Sequence, residues 1–495
     1  MICSVDSIDR YHSEGLHEEC GVFGVFSDGT IDPAYACYNG LLALQHRGQE
    51  SCGIAVSDEG VIDYYKNMGL VSEVFNNTIL DSLGGQMGIS HVRYSTAGGS
   101  VLENAQPLVM RYVKGTIAVA HNGNLTNAVE IRRDLEQRGA IFQTTIDSEV
   151  ICYLIARARL KHHSVEDAVA DAMRRIHGAY SLLVMSPRKI IAARDPHGFR
   201  PLCLGKCNGS VVVASESAAL DACGAEFLRD VEPGEIVVIN GKGKDGFHSI
   251  HPDFGEKKKS ICIFEYIYFA RSDSMIDGVS VYEARKQAGR ILARTCPVEA
   301  DMVIGVPESG IDAAIGYAEE SGIPYEKAIV KNSYIGRTFI KPSQSERMKS
   351  VRIKLNPIAD MVKGKRVIMI DDSIVRGTTV DRIVTMLRDA GAKEVHMRIS
   401  SPPFMWPCYY GTDIPSRGEL IAVNHSIEEI TKLSGADSLA YLPVESLHEM
   451  IGYAPIGFCE GCFTGNYPAQ TTKITLEGKE RGGMEYGDKC LGADS

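Results

Sequence analysis

Residues 366–380, RVIMIDDSIVRGTTV, join a short apolar run to two acidic residues and then to a loop of small and hydroxyl residues. The apolar run predicts a buried strand that ends at Asp371 and Asp372. A helix N-terminus after such a loop offers backbone amides and hydroxyls to a phosphate monoester. Two carboxylates directly upstream would repel a phosphate, so they are better suited to ribose hydroxyls or to Mg²⁺. The Gly-Lys-Ser/Thr ending of a Walker A loop is absent, and a capped helix after a strand is the simpler alternative.

The chain around this stretch alternates strand and helix patterns from about residue 280 onward. We expect strands at 300–309 (with its loop), 365–370 and 394–400, and helices at 310–322 and 380–392. This alternation predicts a parallel sheet, whose ligand site lies beyond the carboxyl ends of the strands.

Short β-like runs dominate the first half, from Cys20 to about Asn240, and a single helical pattern at 148–176 interrupts them. These runs predict packed antiparallel sheets with helical cover. The polar, glycine-rich segment 241–260 is the expected domain boundary. A long hairpin loop within one domain is the alternative for that segment.

The bulk composition limits the class of protein. A length of 495 residues favours two domains, and a net charge of -11 argues against a nucleic-acid surface. No apolar run is long enough for a transmembrane helix, and residues 1–19 lack the features of a secretory signal. We therefore expect a cytoplasmic protein with no nucleic-acid or membrane partner. Its 14 cysteines are then reduced by default, and a special one is catalytic, metal-binding or simply buried.

Cys20 stands out because it opens the first strand-like run, within EECGVFGV at 18–25. A small buried hydrophobe in an N-terminal strand is the common fate of such a residue. Removal of the preceding residues would instead leave Cys20 as a new N-terminus that carries both a thiol and an amine.

The segment DDSIVRGTT at 371–379 resembles the phosphoribosyl pyrophosphate signature of the type I phosphoribosyltransferases. With CGVFGV, LQHRGQES, HVRYSTAGG, AHNGNL, RDPHGFRPL, FEYIYFARSDS and GRTFIKPSQ, the chain resembles the amidophosphoribosyltransferases of the iron–sulfur class. The resemblance implies a removable leader at 1–19 and an αββα N-terminal-nucleophile glutaminase domain at 20–245. It further implies an α/β type I phosphoribosyltransferase domain with a parallel sheet at 260–455, and a C-terminal tail at 456–495 that carries cluster ligands.

The resemblance also implies an activity, namely the glutamine-dependent conversion of phosphoribosyl pyrophosphate to 5-phosphoribosylamine at the start of purine biosynthesis. It implies feedback by purine nucleotides and a homotetramer. A different glutamine amidotransferase, such as a glucosamine-phosphate synthase, would lack DDSIVRGTT. A non-catalytic regulator that binds phosphoribosyl pyrophosphate is the alternative from another class, and it would need neither Cys20 nor a leader.

Cys20 would then be the nucleophile that attacks the glutamine side chain, and its own α-amine, freed by loss of the leader, would accept the thiol proton. Asn122 and the Gly123 amide would form the oxyanion hole. HNGN alone is also typical of a hairpin turn.

Four further residues would bind glutamine by resemblance. Arg93 would pair with its α-carboxylate and Asp147 with its α-ammonium, while Arg47 and Gly48 would line the same pocket. For Arg93 and Asp147 taken alone, a surface ion pair is the simpler interpretation. The spelling TTIDSE around Asp147 departs from the usual Ser-Asp of the family.

In the second domain, Asp371 and Asp372 would bind ribose hydroxyls and help place Mg²⁺, with Ser309 of VPES near the metal. The 5-phosphate would be held by the loop that follows: Ser373, Ile374, Val375, Arg376, Gly377, Thr378 and Thr379. The basic segment 331–350 is either a solvated loop or, by resemblance, a lid whose Lys331 and Arg337 reach the phosphates. Tyr268 would couple the two halves.

The pair CEGC at 459–462 is ambiguous between zinc, a redox pair and chance, and the chain has no second CxxC. By resemblance, Cys459 and Cys462 join Cys262 and Cys408 to hold a structural [4Fe–4S] cluster.

Overall fold

The computed structural model describes residues 20–94, 99–332, 355–377, 380–412, 414 and 416–469. The predicted leader at 1–19 and much of the predicted lid, Arg337 included, lie outside these residues. So do Thr378, Thr379 and the end of the tail.

The first half of the chain forms two antiparallel sheets. One sheet has the strand order β11-β9-β10-β1-β4-β2-β3 and the other the order β13-β12-β8-β7-β6-β5. The strands are β1 Gly21–Phe26, β2 Ser51–Asp58, β3 Val61–Met68, β4 Met87–Arg93, β5 Leu108–Tyr112, β6 Gly115–Leu125, β7 Gly178–Ser186, β8 Lys189–Arg194, β9 Cys203–Cys207, β10 Ser210–Ala214, β11 Glu226–Asp230, β12 Ile236–Ile239 and β13 Phe247–Ile250.

These sheets pack face to face through an apolar layer that includes Val22, Ile89, Leu183 and Val213. Helices cover the outer face of each sheet through two further apolar clusters, which confirms the predicted αββα architecture. The helices are α1 Pro33–Ala43, α2 Val71–Val74, α3 Asn77–Asp81, α4 Ala128–Gln137, α5 Ser148–Ala158, α6 Val165–Met173 and α7 Ser217–Ala222.

The predicted helical pattern at 148–176 is two helices, α5 and α6. The second helix starts anew at Ser164, whose side chain accepts a hydrogen bond from the Asp167 amide, and such an N-cap marks a separate helix. The segment 241–260 also contains a strand. Its β13 pairs with β12, so the antiparallel sheet extends to residue 250.

The second half contains a parallel sheet with the order β17-β20-β21-β22, as predicted. Its elements are β14 Ile261–Cys262, a π-helical turn at Glu265–Phe269, β15 Met275–Ile276, β16 Val279–Ser280, α8 Val281–Thr295, β17 Met302–Gly305, α9 Gly310–Ser321, β18 Ile329–Lys331, β19 Leu355–Pro357, α10 Ala359–Val362, β20 Arg366–Asp371, α11 Val380–Asp389, β21 Glu394–Ile399, α12 Ile421–Asn424, α13 Ile427–Ser434, β22 Ser438–Tyr441, α14 Leu447–Met450, β23 Phe458–Cys459 and α15 Gly461–Thr464.

Helices flank this sheet on both faces. The first face, with Val303, Ile368 and Ile370, packs on α8 and α9, and the second, with Val367 and Met369, packs on α11. Near the C-terminus, β23 returns to pair with β14, so Cys459 lies opposite Cys262. No helix in the described ranges combines the length and the apolar content needed to cross a membrane.

Glycines allow α8 and α9 to touch through their backbones. A Cβ on Gly316 of α9 would lie 1.9 Å from the Lys286 carbonyl oxygen, and one on Gly289 of α8 would lie 1.8 Å from that of Ala313. Gly310 at the start of α9 is also close to β20, since its Cβ would lie 2.4 Å from the Ile370 oxygen. The glycines therefore set the position of α9 beside Asp371.

We expect Gly316→Ala to destabilise the fold by about 1–3 kcal/mol, because backbone atoms cannot yield to the added methyl group as a side chain can. Thermal unfolding measures this loss. Gly84→Ala is the matched control, because a Cβ there meets nothing within 4 Å. An unchanged melting temperature for Gly316→Ala would mean that the two helices are not held at this spacing.

Candidate active sites

Cys20 lies at the start of β1, a strand held between β10 and β4. The pairing of Gly21 with Val92 brings Cys20 beside the end of β4, where Arg93 and Tyr94 follow. The thiol is buried and donates a hydrogen bond to the Tyr94 carbonyl, with an Sγ–O distance of 3.5 Å. Burial raises the pKa of the Cys20 thiol to about 11. A thiol of this kind stays protonated near neutral pH, so it needs a base close by to act as a nucleophile.

Arg93 and Asp147 both lie close enough to Cys20 for their charges to act on its thiol. Both side chains are buried, which excludes the simpler interpretation of a surface ion pair. The Arg93 guanidinium also lies 3.6 Å from the Glu50 carboxylate. The Gly48 backbone packs closely against the Arg93 backbone. A Cβ on Gly48 would lie 2.7 Å from the Arg93 nitrogen. The structure thus brings Arg93, Asp147 and Gly48 together around the thiol.

Asp147 is anchored by the end of β6. One of its oxygens accepts a hydrogen bond from the Leu125 amide at 2.9 Å, and the other lies 3.6 Å from Nδ1 of His121. Burial alone would raise the pKa of Asp147, but His121 and two backbone amides outweigh it and hold that pKa below its usual value. The carboxylate is therefore an anion at neutral pH, as binding of an ammonium group requires.

Asn122 and Gly123 lie within β6 and not in a hairpin turn, and they pair with Ser181 and Tyr180 of β7. The Asn122 side chain is fully buried, and its amide nitrogen and oxygen have no hydrogen-bond partner among the described residues. Gly123 has a φ of 142°, and a Cβ there would lie 2.1 Å from the Ala179 oxygen, so only glycine fits. Unpaired buried amide groups are costly unless a ligand completes them, which suits an oxyanion hole.

Two histidines that sequence reasoning missed support this strand. Nε2 of His91, on β4, donates to the His121 carbonyl at 3.0 Å, and this bond ties the two sheets together beside Asn122. Burial lowers the pKa of His91 to about 3, so its ring is neutral. The only signal in the sequence is that each histidine lies within two residues of a predicted site residue.

Arg47 lies beside Cys20. Its guanidinium is buried between the carboxylates of Glu216 and Glu265 at 2.5 and 2.7 Å. Its Nε donates to the main-chain oxygen of Cys20 at 3.2 Å. These partners are far from Arg47 in sequence, so no local pattern could have indicated them.

The second candidate site lies at the carboxyl end of β20, as predicted. Asp371 and Asp372 are both buried. Asp372 accepts hydrogen bonds from the hydroxyls of Ser309 and Ser373, so the VPES loop after β17 meets the acidic pair. Burial, with the neighbouring carboxylate, raises the pKa of Asp371 well above its usual value, and burial raises that of Asp372. Two buried carboxylates with raised pKa values form a donor set that a hard cation such as Mg²⁺ would stabilise.

The loop after these acids is shaped for main-chain contacts. Ile374 and Val375 are buried in the apolar cores, so only their backbone groups remain for a phosphate. Arg376 forms an ion pair with Glu419, with a Nε–Oε2 distance of 3.3 Å. Gly377 has a φ of 83°, and a Cβ there would lie 2.3 Å from the Ile421 side chain.

Lys331 ends β18, and its Nζ lies 3.7 Å from the Glu308 carboxylate. It therefore faces the VPES loop, next to the acidic pair. Tyr268, the expected coupling residue, lies in the π-helical turn, where its carbonyl accepts from Nη2 of Arg285 at 3.0 Å.

Cys262, Cys408, Cys459 and Cys462 line one small cavity, together with aromatic residues that include Phe199 and Tyr467. All four are free thiols. Burial is the main cause that raises the pKa of Cys262 and of Cys459 to about 12, and neighbouring thiols add to it. In the described part of the chain, no three His, Cys, Asp or Glu side chains converge on a position for a single metal ion. Four thiols around one cavity are the donor set that a [4Fe–4S] cluster needs, since each thiolate binds a different iron.

Comparison with known proteins gives two family models. A glutamine amidotransferase domain matches residues 91–222, and a phosphoribosyl transferase domain matches residues 282–400. Each match lies within one half of the chain, on the side where the corresponding site is found.

Curated relatives match over almost the whole length. The amidophosphoribosyltransferase of Methanocaldococcus jannaschii is 49% identical over 476 residues, which cover 93% of this chain and 100% of the relative. That of Bacillus subtilis is 50% identical over 469 residues, which cover 94% and 97%.

Solved structures agree. The glutamine phosphoribosylpyrophosphate amidotransferase of B. subtilis, complexed with ADP and GMP, superposes with a TM-score of 0.85 at 48% identity and covers 92% of this chain and 98% of its own. A structure described as the allosteric regulatory enzyme of purine biosynthesis gives a TM-score of 0.86 at 49% identity, covering 92% and 97%. At this identity over nearly the full length, with both candidate sites in place, the chain belongs to the amidophosphoribosyltransferase family.

Proposed function

We propose that the protein converts glutamine and phosphoribosyl pyrophosphate to 5-phosphoribosylamine, glutamate and pyrophosphate, the first step of purine biosynthesis. The observation that carries this proposal is the presence in one chain of a buried thiol beside Arg93 and Asp147 and of a buried acidic pair at the end of a parallel strand. A regulator that only binds phosphoribosyl pyrophosphate would need no such thiol site.

In the glutaminase step, the Cys20 sulfur attacks the side-chain amide carbon of glutamine and its proton passes to the α-amine of Cys20. Asn122 and the Gly123 amide hold the oxyanion of the tetrahedral intermediate. On collapse the C–N bond breaks and the Cys20 α-ammonium gives its proton to the leaving nitrogen, which departs as ammonia. Water then hydrolyses the thioester to glutamate and restores the thiol. Arg93 and Asp147 orient the substrate through its α-carboxylate and α-ammonium.

In the transferase step, ammonia attacks C1 of phosphoribosyl pyrophosphate and pyrophosphate leaves. Asp371 and Asp372 would hold the ribose hydroxyls and, with Ser309, the Mg²⁺ ion, which when bound neutralises the charge of the leaving group. The amides of 373–377 and the hydroxyls of Thr378 and Thr379 would hold the 5-phosphate. Lys331 and Arg337 would reach the pyrophosphate from the lid, which excludes water from the reacting carbon.

Five further properties are part of the proposal. The ADP and GMP of the B. subtilis structure support regulation by purine nucleotides. The four-cysteine cavity supports a [4Fe–4S] cluster that ties the C-terminal tail to the transferase half. The homotetramer, the cytoplasmic location and the leader at 1–19 remain predictions.

We expect the active protein to begin at Cys20, because only a free α-amine on that residue can serve as the base. Intact-mass measurement of the purified enzyme checks this. A variant that blocks processing, Glu19→Pro, should lose glutamine-dependent activity and retain ammonia-dependent activity. Full glutamine-dependent activity in a species that still carries Met1–Glu19 would contradict the mechanism.

Cys20→Ala should lower glutamine-dependent synthesis by at least about 10³-fold, since the nucleophile is lost. Synthesis from added ammonia should persist, because the transferase site is intact. Assays with glutamine and with ammonium chloride separate the two. Cys203→Ala is the matched control, a buried cysteine of the same half, and should keep both activities.

The reciprocal variant, Asp371→Asn with Asp372→Asn, should abolish synthesis from both nitrogen donors, because both need the ribose site. Equal loss of the two activities in Cys20→Ala would show that the thiol is needed for the fold and would remove this division of labour.

Protein purified without oxygen should hold about four irons per chain if the cluster is present. Cys459→Ser should lower both the iron content and the melting temperature, because the cluster links segments distant in sequence. Cys296→Ser is the control, a cysteine of the same half outside the cavity. Iron-free protein of equal stability and activity would rule the cluster out.

A further inference from the structure

Four fully buried charged side chains meet where the two halves of the chain touch. Arg47, Glu216 and Arg200 come from the glutaminase half, and Glu265 comes from the π-helical turn of the transferase half. The set holds two cations and two anions. Burial of ion pairs is favourable only when geometry and hydrogen bonding are nearly complete, so each partner depends on the others.

Glu265 is held by both arginines. Nη1 and Nη2 of Arg47 donate to its two carboxylate oxygens at 2.7 to 3.0 Å, and Nη1 of Arg200 donates at 3.3 Å. A bidentate arginine–carboxylate pair fixes orientation as well as distance. The transferase half thus contributes the carboxylate that sets the plane of the Arg47 guanidinium.

The same guanidinium reaches the proposed nucleophile through the main chain. Its Nε donates to the Cys20 carbonyl at 3.2 Å, while its Nη1 also donates to Glu216 at 2.5 Å. Nε, Nη1 and Nη2 are therefore all engaged by Cys20, Glu216 and Glu265. Arg47 can orient Cys20, but it has no free edge to offer the α-carboxylate of a substrate.

Glu216 extends the contact further into the transferase half. Its second oxygen accepts from the Arg271 amide at 2.9 Å and from the Ser274 hydroxyl at 2.7 Å. The Ser272 hydroxyl, between them, donates to Asp312 in the first turn of α9 at 2.5 Å. That helix begins directly after Ser309, which contacts Asp372. The hydrogen bonds around Arg47 thus reach the edge of the second site.

We infer that Arg47 is a positioning residue for Cys20 and that Glu265, supplied by the transferase half, holds it in place. The inference rests on the proposed function, since it assigns a role within the glutaminase step. The Cys20 thiol is then correctly oriented only when the segment 265–274 packs against the glutaminase half. Loss of the Glu265 charge leaves substrate contacts at Arg93 and Asp147 unchanged and disturbs the attacking group alone.

Glu265→Gln is the test, because it preserves shape and removes the charge that orients Arg47. We expect the kcat for glutamine to fall about 10- to 100-fold, the effect of a small misplacement of a reacting group, with the KM for glutamine and the ammonia-dependent rate little changed. Asp277→Asn is the matched control. Asp277 forms a bidentate pair with Arg194 across the same interface at 2.8 Å and does not touch Cys20, so its loss should spare the kcat for glutamine.

Arg47→Lys is the second variant. It tests the positioning role if Glu265→Gln does not fold, and a loss of the ammonia-dependent rate in Glu265→Gln would reveal such a failure. A lysine keeps the charge but lacks the planar fork that holds Glu265 bidentately while Nε reaches the Cys20 carbonyl, so the kcat for glutamine should fall here too. A raised KM with an unchanged kcat would mean that Arg47 binds glutamine and would overturn the inference. So would equal losses in Glu265→Gln and Asp277→Asn, which would indicate general weakening of the interface.

The rate at which chloroacetamide alkylates Cys20, measured by mass spectrometry, tests the positioning role without depending on glutaminase activity. If the wild-type protein has no glutaminase activity, the proposed function fails, yet the rate still reports on the orientation of the thiol. We expect slower alkylation in Glu265→Gln than in Asp277→Asn. Equal rates would overturn the positioning role.

Discussion

The pairing of Arg47 with Glu265 is the constraint on which the arrangement of the two halves depends. Both side chains are fully buried, and a buried charge without its partner destabilises a protein by several kcal/mol. Each half supplies one of the two charges. If the halves separated, each buried charge would lose its partner and its surroundings would have to rearrange around water. The contact therefore helps to fix how the two halves meet, together with the Arg194–Asp277 pair across the same interface.

Burial around Cys20 has a related consequence for chemistry. The environment that excludes water from the glutamine site also raises the pKa of the thiol to about 11, so the fold by itself makes a poor nucleophile. In the proposed mechanism, an α-amine on the same residue would supply the missing base, because it reaches the sulfur without any long-range contact. Burial acts on the acidic pair of the second site in the same way, because it disfavours the anionic form of a carboxyl group as it does that of a thiol. Burial raises the pKa values of Asp371 and Asp372, and a bound cation would compensate for it.

Sequence reasoning succeeded where structure and chemistry are encoded locally. The strand before Asp371, the helix after it and the β-runs after Cys20 follow from hydrophobic period and turn residues within a few positions. It was less successful where long-range contacts decide. HNGN taken alone is typical of a turn, but β7 pairs with it inside β6. The partners of the Arg47 guanidinium, Glu216 and Glu265, are distant in sequence, and no local pattern indicates them. Helix α4 was not predicted, because half of its residues are charged, although Ile131 and Leu135 recur at helical spacing.

Arg200 shows that the cysteine cavity is not remote from this interface. One Nη of Arg200 donates to Glu265 and the other to the Tyr410 carbonyl at 2.7 Å, two residues after Cys408. The adjacent Phe199 lines the cavity and accepts through its carbonyl from the Cys262 amide at 3.1 Å. The wall of the cavity is thus built by both halves of the chain. A group bound by the four cysteines would stabilise the tail and, through Arg200, the carboxylate that orients Arg47, so stability at the C-terminus and geometry at Cys20 are linked by a short series of buried hydrogen bonds.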